Sequence, residues 1–117
     1  MSKNKATVQA YIDGFNKSDH QQILDCLADD IEWVMPGAFS LNGKSAFDKE
    51  IENDAFVGSP SIKLKSLTEE SDVVVAEGSV TCMRKDGSLL NAVFCDVFRM
   101  CESKIRHLTT YQVELKP

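Results

Sequence analysis

The chain has 117 residues, of which 43% are hydrophobic and 26% are charged, and its formal net charge is -5. This size and composition predict one globular domain spanning residues 1–117, because disordered chains contain far fewer hydrophobic residues. The acidic balance and the lack of a lysine or arginine cluster argue against nucleic acid as a partner. No apolar run approaches the roughly 20 residues that cross a bilayer, so we expect no membrane contact and a cytoplasmic location.

Cysteine and histidine spacing does not match the common metal motifs. The four cysteines contain no Cys-x-x-Cys pair, and the two histidines, His20 and His107, lie far apart in the sequence. Zinc and redox sites use closely spaced ligand pairs, so we expect no metal and no cofactor. The cysteines are expected to be small buried hydrophobes in a reducing compartment.

Helical patterns occupy the first half of the chain. A helix is predicted over residues 3–17 by apolar residues at i, i+3, i+4 and i+7, which are Val8, Tyr11, Ile12 and Phe15. Ser18 and Gln21 have capping-box spacing and predict the start of a second helix that ends near residue 29. A short strand is expected at residues 31–35, and Ser45 opens a third helix that runs to about residue 53.

From residue 61 the hydrophobic period changes to two, which is typical of strands. Four strands are predicted, at residues 62–69, 73–84, 89–100 and 104–114. Asp86-Gly87 is a strong hairpin signal, and Glu102-Ser103 is a weaker turn. Helices followed by an antiparallel meander predict an α+β fold, and strands this long must twist into a curved sheet whose concave face the helices only partly fill.

Five segments resemble a known family: residues 8–11, 15–19, 27–33, 41–46 and 95–100. They are similar to SnoaL-like polyketide cyclases and ketosteroid isomerase, members of the nuclear transport factor 2-like superfamily. The resemblance spans nearly the whole chain. It implies a cone-shaped fold, in which a strongly curved mixed or antiparallel sheet is wrapped by three helices from the N-terminal half around one pocket. It is specific for the fold rather than for an activity, because one scaffold hosts many functions.

The resemblance also implies roles for individual residues. Ketosteroid isomerase uses a tyrosine and a protonated aspartic acid as oxyanion hole, and a second aspartate as base. The tyrosine corresponds to Tyr11 and the oxyanion aspartic acid to Asp96, whereas the base position holds Met35, which cannot take a proton. Epoxide hydrolases of the superfamily use an Asp-Arg-Asp set, and two of its positions here are Phe94 and Thr110, so we expect that chemistry to be absent.

The hairpin signal predicts a register for the two long strands that it joins. As a two-residue loop, Asp86-Gly87 would place Glu77 opposite Asp96, on one face with Phe94. Two carboxylates directly opposite each other repel, so one of them would hold its proton. Asp96 is then a protonated donor and Glu77 a candidate base that replaces Met35. The alternative is a bulge that shifts the register by one residue and turns Glu77 to solvent.

The final turn leaves two orientations open for the last strand. A two-residue loop at Glu102-Ser103 would turn His107 inward, and a three-residue loop would turn Leu108 and Thr110 inward instead. The family pattern favours the second orientation, which makes His107 a surface residue.

These residues together predict an apolar pocket with a polar floor. The catalytic candidates are Tyr11, Asp96 and Glu77, and the predicted pocket residues are Phe15, Trp33, Met35, Phe47, Phe94, Phe98, Leu108 and Thr110. Neutral donors suit the carbonyl, enol or phenol oxygen of a hydrophobic small molecule. We therefore expect a cofactor-independent isomerase or cyclase that acts on a steroid-, polyketide- or aromatic-like carbonyl compound. The alternative is a non-catalytic binding or interaction module, because the base position is Met35.

The outer face of the sheet is the expected surface for a homodimer. The residues predicted to point outward are apolar enough for such an interface: Val74, Val80, Val93, Cys95 and Val97.

Overall fold

The computed structural model describes residues 2–52 and 54–116. The helices are α1 (Lys3–Lys17), α2 (His20–Asp25) and α3 (Lys44–Ile51). The strands are β1 (Leu27–Met35), β2 (Phe39–Asn42), β3 (Phe56–Glu70), β4 (Val73–Arg84), β5 (Leu89–Cys101) and β6 (Lys104–Glu114). The predicted α+β class is confirmed, with the helices confined to the N-terminal half.

The junction between α1 and α2 differs from the predicted capping box. Ser18 ends α1 in the left-handed conformation, with φ 52°, and its N–H bonds back to the carbonyl groups of Gly14 and Phe15. Asp19 is therefore the residue that begins α2, and its carboxylate accepts the N–H of Gln22 at 3.1 Å. An N-cap residue needs an extended backbone, and Ser18 is held in the left-handed conformation that ends α1. The N-cap role therefore passes to Asp19.

The six strands form one curved, unclosed sheet in the order β2-β1-β6-β5-β4-β3. β1 runs parallel to β6, and every other neighbouring pair is antiparallel, so the sheet is mixed. The sequence did not predict β2, which pairs with β1 through contacts such as Trp33 with Leu41. A strand of four residues is too short for alternation to stand out, and its pairing with β1 is what defines it.

The strands β4 and β5 are joined by a three-residue loop, which corrects the predicted register. Arg84 N–H bonds to the Ser88 carbonyl at 2.8 Å, and Gly87 lies between them with φ 88°. The extra left-handed glycine shifts the pairing by one residue, as in a turn followed by a bulge. Asp96 consequently pairs with Ala76, and Glu77 pairs with Cys95. The predicted pairing of Glu77 with Asp96 was wrong, because the two carboxyl groups lie on opposite faces of the sheet.

The strands β5 and β6 are joined by a two-residue turn, but a bulge reverses its effect on side-chain direction. Met100 pairs with Ile105, whereas the next residue of β5, Arg99, pairs with His107. The unpaired residue between them moves every later side chain of β6 to the opposite face. Leu108 is therefore fully buried beneath the helices, as the family pattern predicts. The turn has two residues, however, and not the three that were expected to give this orientation.

A close contact holds β3 against β4 at Gly78. A Cβ atom added to Gly78 would lie 2.2 Å from the Lys63 carbonyl oxygen and 3.0 Å from the Phe94 ring. The register of β3 shifts beside this point, between Leu64 and Ser66. A glycine is thus required where the bulged edge strand crosses closest to its neighbour.

The outer face of the sheet differs in part from the prediction. Val74 and Val80 point inward and are buried, because the corrected register reverses the faces of β4. Val93, Cys95 and Val97 lie on the outer face, where Val93 pairs with Val113 on β6. The exposed fractions of these two valines are 41% and 62%. Among the described residues, no helix has the length and apolar character that a membrane span requires.

Candidate functional site

A cavity of about 910 Å³ lies between the concave face of the sheet and the helices α1 and α3. Its size falls within the range of small-molecule sites. Four groups of residues line it: from α1 and the turn after it, Tyr11, Ile12, Phe15 and Ser18; from β1, β2 and the turn between them, Trp33, Met35, Ala38 and Phe39; from the end of α3 and the start of β3, Glu50, Ile51, Glu52, Phe56, Gly58, Ser59, Pro60 and Ile62; and from β4 to β6, Val80, Cys82, Leu90, Phe94, Asp96, Thr110 and Gln112.

Asp96 is the buried carboxyl group of this cavity. It is 7% exposed on the concave face of β5, and its Oδ1 atom has no hydrogen-bond partner among residues 2–52 and 54–116. Burial raises the pKa of this carboxyl to about 7, and a side-chain hydrogen bond with Thr110 only partly offsets the increase. A carboxyl group in such surroundings is neutral below about pH 7 and can then donate its own proton.

Thr110 and Trp33 form the polar surroundings of Asp96. The Trp33 indole N–H donates to Thr110 Oγ1 at 3.0 Å, so the Thr110 hydroxyl hydrogen is available for Asp96, its cross-strand partner. The side-chain hydrogen bond with Thr110 lowers the pKa of Asp96, but burial raises it by more. The Oδ1 atom is enclosed and has no partner among the described residues, so burial holds the carboxyl group in its neutral form.

Tyr11 lies beside Asp96 on the buried face of α1. Its pKa is raised well above the ordinary value, first by burial and then by the charge of Asp96. The phenol therefore remains protonated at neutral pH and is a second neutral donor. The ring of Tyr11 packs edge-on against Phe98 at 5.4 Å and against Phe15 at 5.1 Å, which fixes its direction. Tyr11 thus belongs both to the core stripe of α1 and to the cavity lining.

Five of the eight predicted pocket residues line the cavity, namely Phe15, Trp33, Met35, Phe94 and Thr110. The prediction was wrong for Phe47, Phe98 and Leu108, which are fully buried behind that lining. Phe47 stacks on Trp33, with ring centroids 4.6 Å apart and planes 26° from parallel. Phe98 and Leu108 face the concave side of the sheet where a helix packs on it, and Phe47 lies on the packed face of α3. All three therefore support the cavity walls from behind.

Glu77, the third catalytic candidate, does not reach the cavity. It is exposed on the outer face of β4, a consequence of the three-residue loop, so it cannot supply the base that Met35 lacks. His107 also lies away from the cavity, with Nε2 3.0 Å from Glu32 Oε1 on the neighbouring strand β1. Two positions of the Asp-Arg-Asp set hold Phe94 and Thr110. Both line the cavity beside Asp96, but neither side chain is charged, so the set is incomplete.

Sequence reasoning missed, among other lining residues, those at the junction of α3 and β3. Glu50 in the last turn of α3, its C-cap Glu52 and Phe56 at the start of β3 all line the cavity. The only signal in the sequence is the helical spacing of Glu50 from Phe47, which does not reveal what the helix end faces. Outside the lining, His20 contacts α3, with Nε2 3.0 Å from Glu52.

No group of three or more His, Cys, Asp or Glu side chains is arranged to hold a metal ion within the described part of the chain. Cys82 lines the cavity with a pKa raised by burial, which favours the unreactive thiol.

Solved structures with the same fold include proteins of several kinds. A LEH-like epoxide hydrolase of M. tuberculosis superposes with a TM-score of 0.84 at 14% identity, over 95% of this chain and 83% of that one. TerC, co-crystallised with polyporic acid, has a TM-score of 0.84 at 20% identity, over 93% and 90%. A proposed ketosteroid isomerase from Kribbella flavida has a TM-score of 0.76 at 16% identity, over 98% and 81%. Identities this low establish the fold alone.

Sequence comparisons identify the family. A comparison with curated protein sequences gives no match. A family model described as a SnoaL-like domain matches residues 8–108 and so covers most of the chain. Together with the cone-shaped architecture, this match shows that the chain belongs to the SnoaL-like domain family of the nuclear transport factor 2-like superfamily.

Proposed function

We propose that this protein binds a hydrophobic small molecule and holds its carbonyl, enol or phenol oxygen between Tyr11 and Asp96. The observation that carries this proposal is the Asp96 carboxyl group, which lines the cavity and is kept neutral by burial below about pH 7. A neutral carboxyl group in an apolar cavity can donate a hydrogen bond to a ligand oxygen.

The two donors suit an oxygen that gains negative charge during a reaction. Tyr11 stays protonated, and Asp96 is neutral below about pH 7, so both can donate to a developing enolate or phenolate. Fixed donors in a site that excludes water are among the strongest contributions to catalysis. We infer that the protein is a cofactor-independent isomerase or cyclase for a carbonyl compound.

The proton transfer itself is assigned to Asp96, because Met35 occupies the base position and Glu77 lies outside. A carboxyl group whose pKa is about 7 is present in both protonation states near neutral pH. In its ionised form, Asp96 can accept a proton from one atom of the ligand and return it to another while Tyr11 donates to the ligand oxygen, and only in its neutral form is Asp96 the second donor. The shared fold with a proposed ketosteroid isomerase and with TerC supports a small-molecule ligand in this cavity.

A second candidate function is binding without catalysis. Met35 favours it, since the cavity then lacks a separate base and has an adaptable, apolar wall at that position. Both functions use the same ligand oxygen, so binding is tested first and turnover second.

The test is the binding of substituted naphthols of increasing acidity, which mimic an enolate oxygen. We expect micromolar affinity that increases with phenol acidity in the wild type and in Glu77→Gln, a control on the outer face. The Asp96→Leu variant should lose most of this affinity. If the naphthols do not bind, or if Asp96→Leu binds them equally well, Tyr11 and Asp96 have a structural role only and the proposal fails.

A second copy of the chain is the proposed partner of the outer sheet face. Val93, Val113 and Tyr111 form an exposed apolar stripe across β5 and β6, with exposed fractions of 41%, 62% and 54%. Such a stripe on a sheet face is suited to burial against a copy of itself. Sedimentation at micromolar concentration should give a dimer, and Val93→Lys should give a monomer. A monomeric wild type would contradict the proposal.

A further inference from the structure

The cavity is long in the direction of the strand β5. Asp96 and Leu90 both line it, and they lie six residues apart on this strand. A strand rises by about 3.3 Å per residue, so the concave wall between these two side chains measures roughly 20 Å along the strand. A single naphthol ring in contact with Asp96 therefore leaves the wall around Leu90 uncovered.

The sheet wall from Phe94 to the hairpin that joins β4 and β5 is apolar. Three neighbouring strands contribute to it, through Ile62 on β3, Val80 and Cys82 on β4, and Leu90 and Phe94 on β5. Burial raises the pKa of the Cys82 thiol, which is therefore neutral and acts as a small apolar group. The acidic residues Glu50 and Glu52 also line the cavity, but they come from the end of α3 and not from the sheet.

An ion pair lies just beyond the end of this apolar wall. Arg84 follows Cys82 by two positions on β4, so it points to the same side of the sheet. Its Nη2 atom lies 3.1 Å from Glu114 Oε2, and its Nη1 atom donates to the Leu89 carbonyl oxygen at 3.3 Å. The apolar wall thus has a defined length, because it ends at the register partners Cys82 and Leu90.

We propose that the ligand carries an alkyl tail, which extends from the oxygen-bearing group at Asp96 along the sheet wall to Leu90 and Cys82. Burial of methylene groups against an apolar wall is favourable, and a flexible chain can follow a sheet that is curved. The ligand class is then an alkyl-substituted phenol or ketone. This inference rests on the proposed function, because the oxygen at Asp96 fixes the point where the tail begins.

A series of 2-naphthol and its 6-ethyl, 6-butyl and 6-hexyl derivatives tests the tail. Their affinities are measured at pH 6, where Asp96 is neutral. Affinity should increase by roughly threefold to tenfold for each two carbons that are buried. Asp96→Leu should lower the affinity of every member by a similar factor. If the four compounds bind equally and still depend on Asp96, the inference fails and the proposed function stands; if none binds, the proposed function itself is refuted.

A charge introduced at position 82 tests where the tail lies. Cys82→Asp places a carboxylate at the end of the apolar wall, so it should remove most of the gain of the 6-hexyl compound over 2-naphthol. The matched control is Thr81→Asp, which adds the same charge at the neighbouring residue, outside the described lining, and should keep the gain. A full gain in Cys82→Asp would show that the tail does not reach Cys82, and the inference would be wrong.

Alkylation of the wild-type protein by N-ethylmaleimide provides a second measurement that requires no variant. The modification rate of each cysteine is followed by mass spectrometry, with the exposed Cys101 as internal reference. Saturation with the 6-hexyl compound should slow the modification of Cys82 several-fold, whereas saturation with 2-naphthol should not, and Cys101 should react at the same rate throughout. Equal rates at Cys82 with the two ligands bound would overturn the inference.

Discussion

Replacing Asp96 by asparagine should remove a pH-dependent cost from the folded state. Burial disfavours the charged form and raises the pKa of Asp96 from its ordinary value of 3.8 to about 7 in the folded protein. An acid with a higher pKa in the folded state stabilises the fold fully below its unfolded pKa. That stabilisation is lost progressively as the pH rises from about 4 to about 7, since the unfolded chain ionises first.

The expected magnitude follows from the difference between the two pKa values. The difference is about three units, each worth roughly 1.36 kcal/mol, so about 4 kcal/mol of stability depends on the protonation of Asp96. About 2.5 kcal/mol of this falls between pH 5 and pH 8. Asparagine does not ionise, so the stability of Asp96→Asn relative to the wild type should increase by that amount between pH 5 and pH 8.

Urea unfolding at pH 5, 6, 7 and 8 measures this difference. Protonated His20 also contributes stability that is present below its unfolded pKa and is lost as pH rises through its raised folded pKa. That slope should remain in Asp96→Asn, and Glu77→Gln, a control at an exposed position, should match the wild type. Parallel curves for the wild type and Asp96→Asn from pH 5 to pH 8 would show that Asp96 is ionised throughout, and the oxyanion proposal would lose its physical basis.

Two further substitutions test the geometry around the site. Thr110→Val removes the hydrogen bond that lowers the pKa of Asp96, so the pH midpoint of naphthol binding should rise, whereas Thr110→Ser should keep it. An unchanged midpoint in Thr110→Val would show that Thr110 does not set the protonation of Asp96. Gly78→Ala places a Cβ atom 2.2 Å from the Lys63 carbonyl oxygen, so it should lower the free energy of unfolding, measured in urea, by roughly 1–3 kcal/mol. Ser79→Ala, on the outer face, should not lower it. Equal urea midpoints for Gly78→Ala and the wild type would show that β3 can move away from this contact without loss of stability.

Much of the secondary structure could be predicted because it depends on local periodicity. The bounds of α1, β4 and β6 agree with the prediction, since long amphipathic segments show their period clearly. The helices α2 and α3 and the strands β1 and β3 were predicted with shifted ends, and β2 was missed. Period two also placed Phe94, Asp96 and Phe98 together on one face of β5, because this relation needs no knowledge of the partner strand.

The relation between strands was decided by single residues in turns and bulges. The left-handed Gly87 lengthened one loop and sent Glu77 to the outer face, and the unpaired residue after Ile105 turned Leu108 inward. Each one-residue shift exchanges the inward and outward faces of a whole strand, and the hydrophobic pattern within one strand does not show where such a shift occurs.

The sequence by itself determined the family, the α+β class and the presence of a carboxyl group and a tyrosine on the apolar faces of their elements. Only the tertiary structure decided which apolar residues line the cavity and which lie behind it, as Phe94 and Phe98 show on one strand. It also brought Glu50 and Glu52, at the end of α3, into the cavity lining. The physical reason is that periodicity records which side of an element is buried, whereas a cavity is the space that several elements leave unfilled between them.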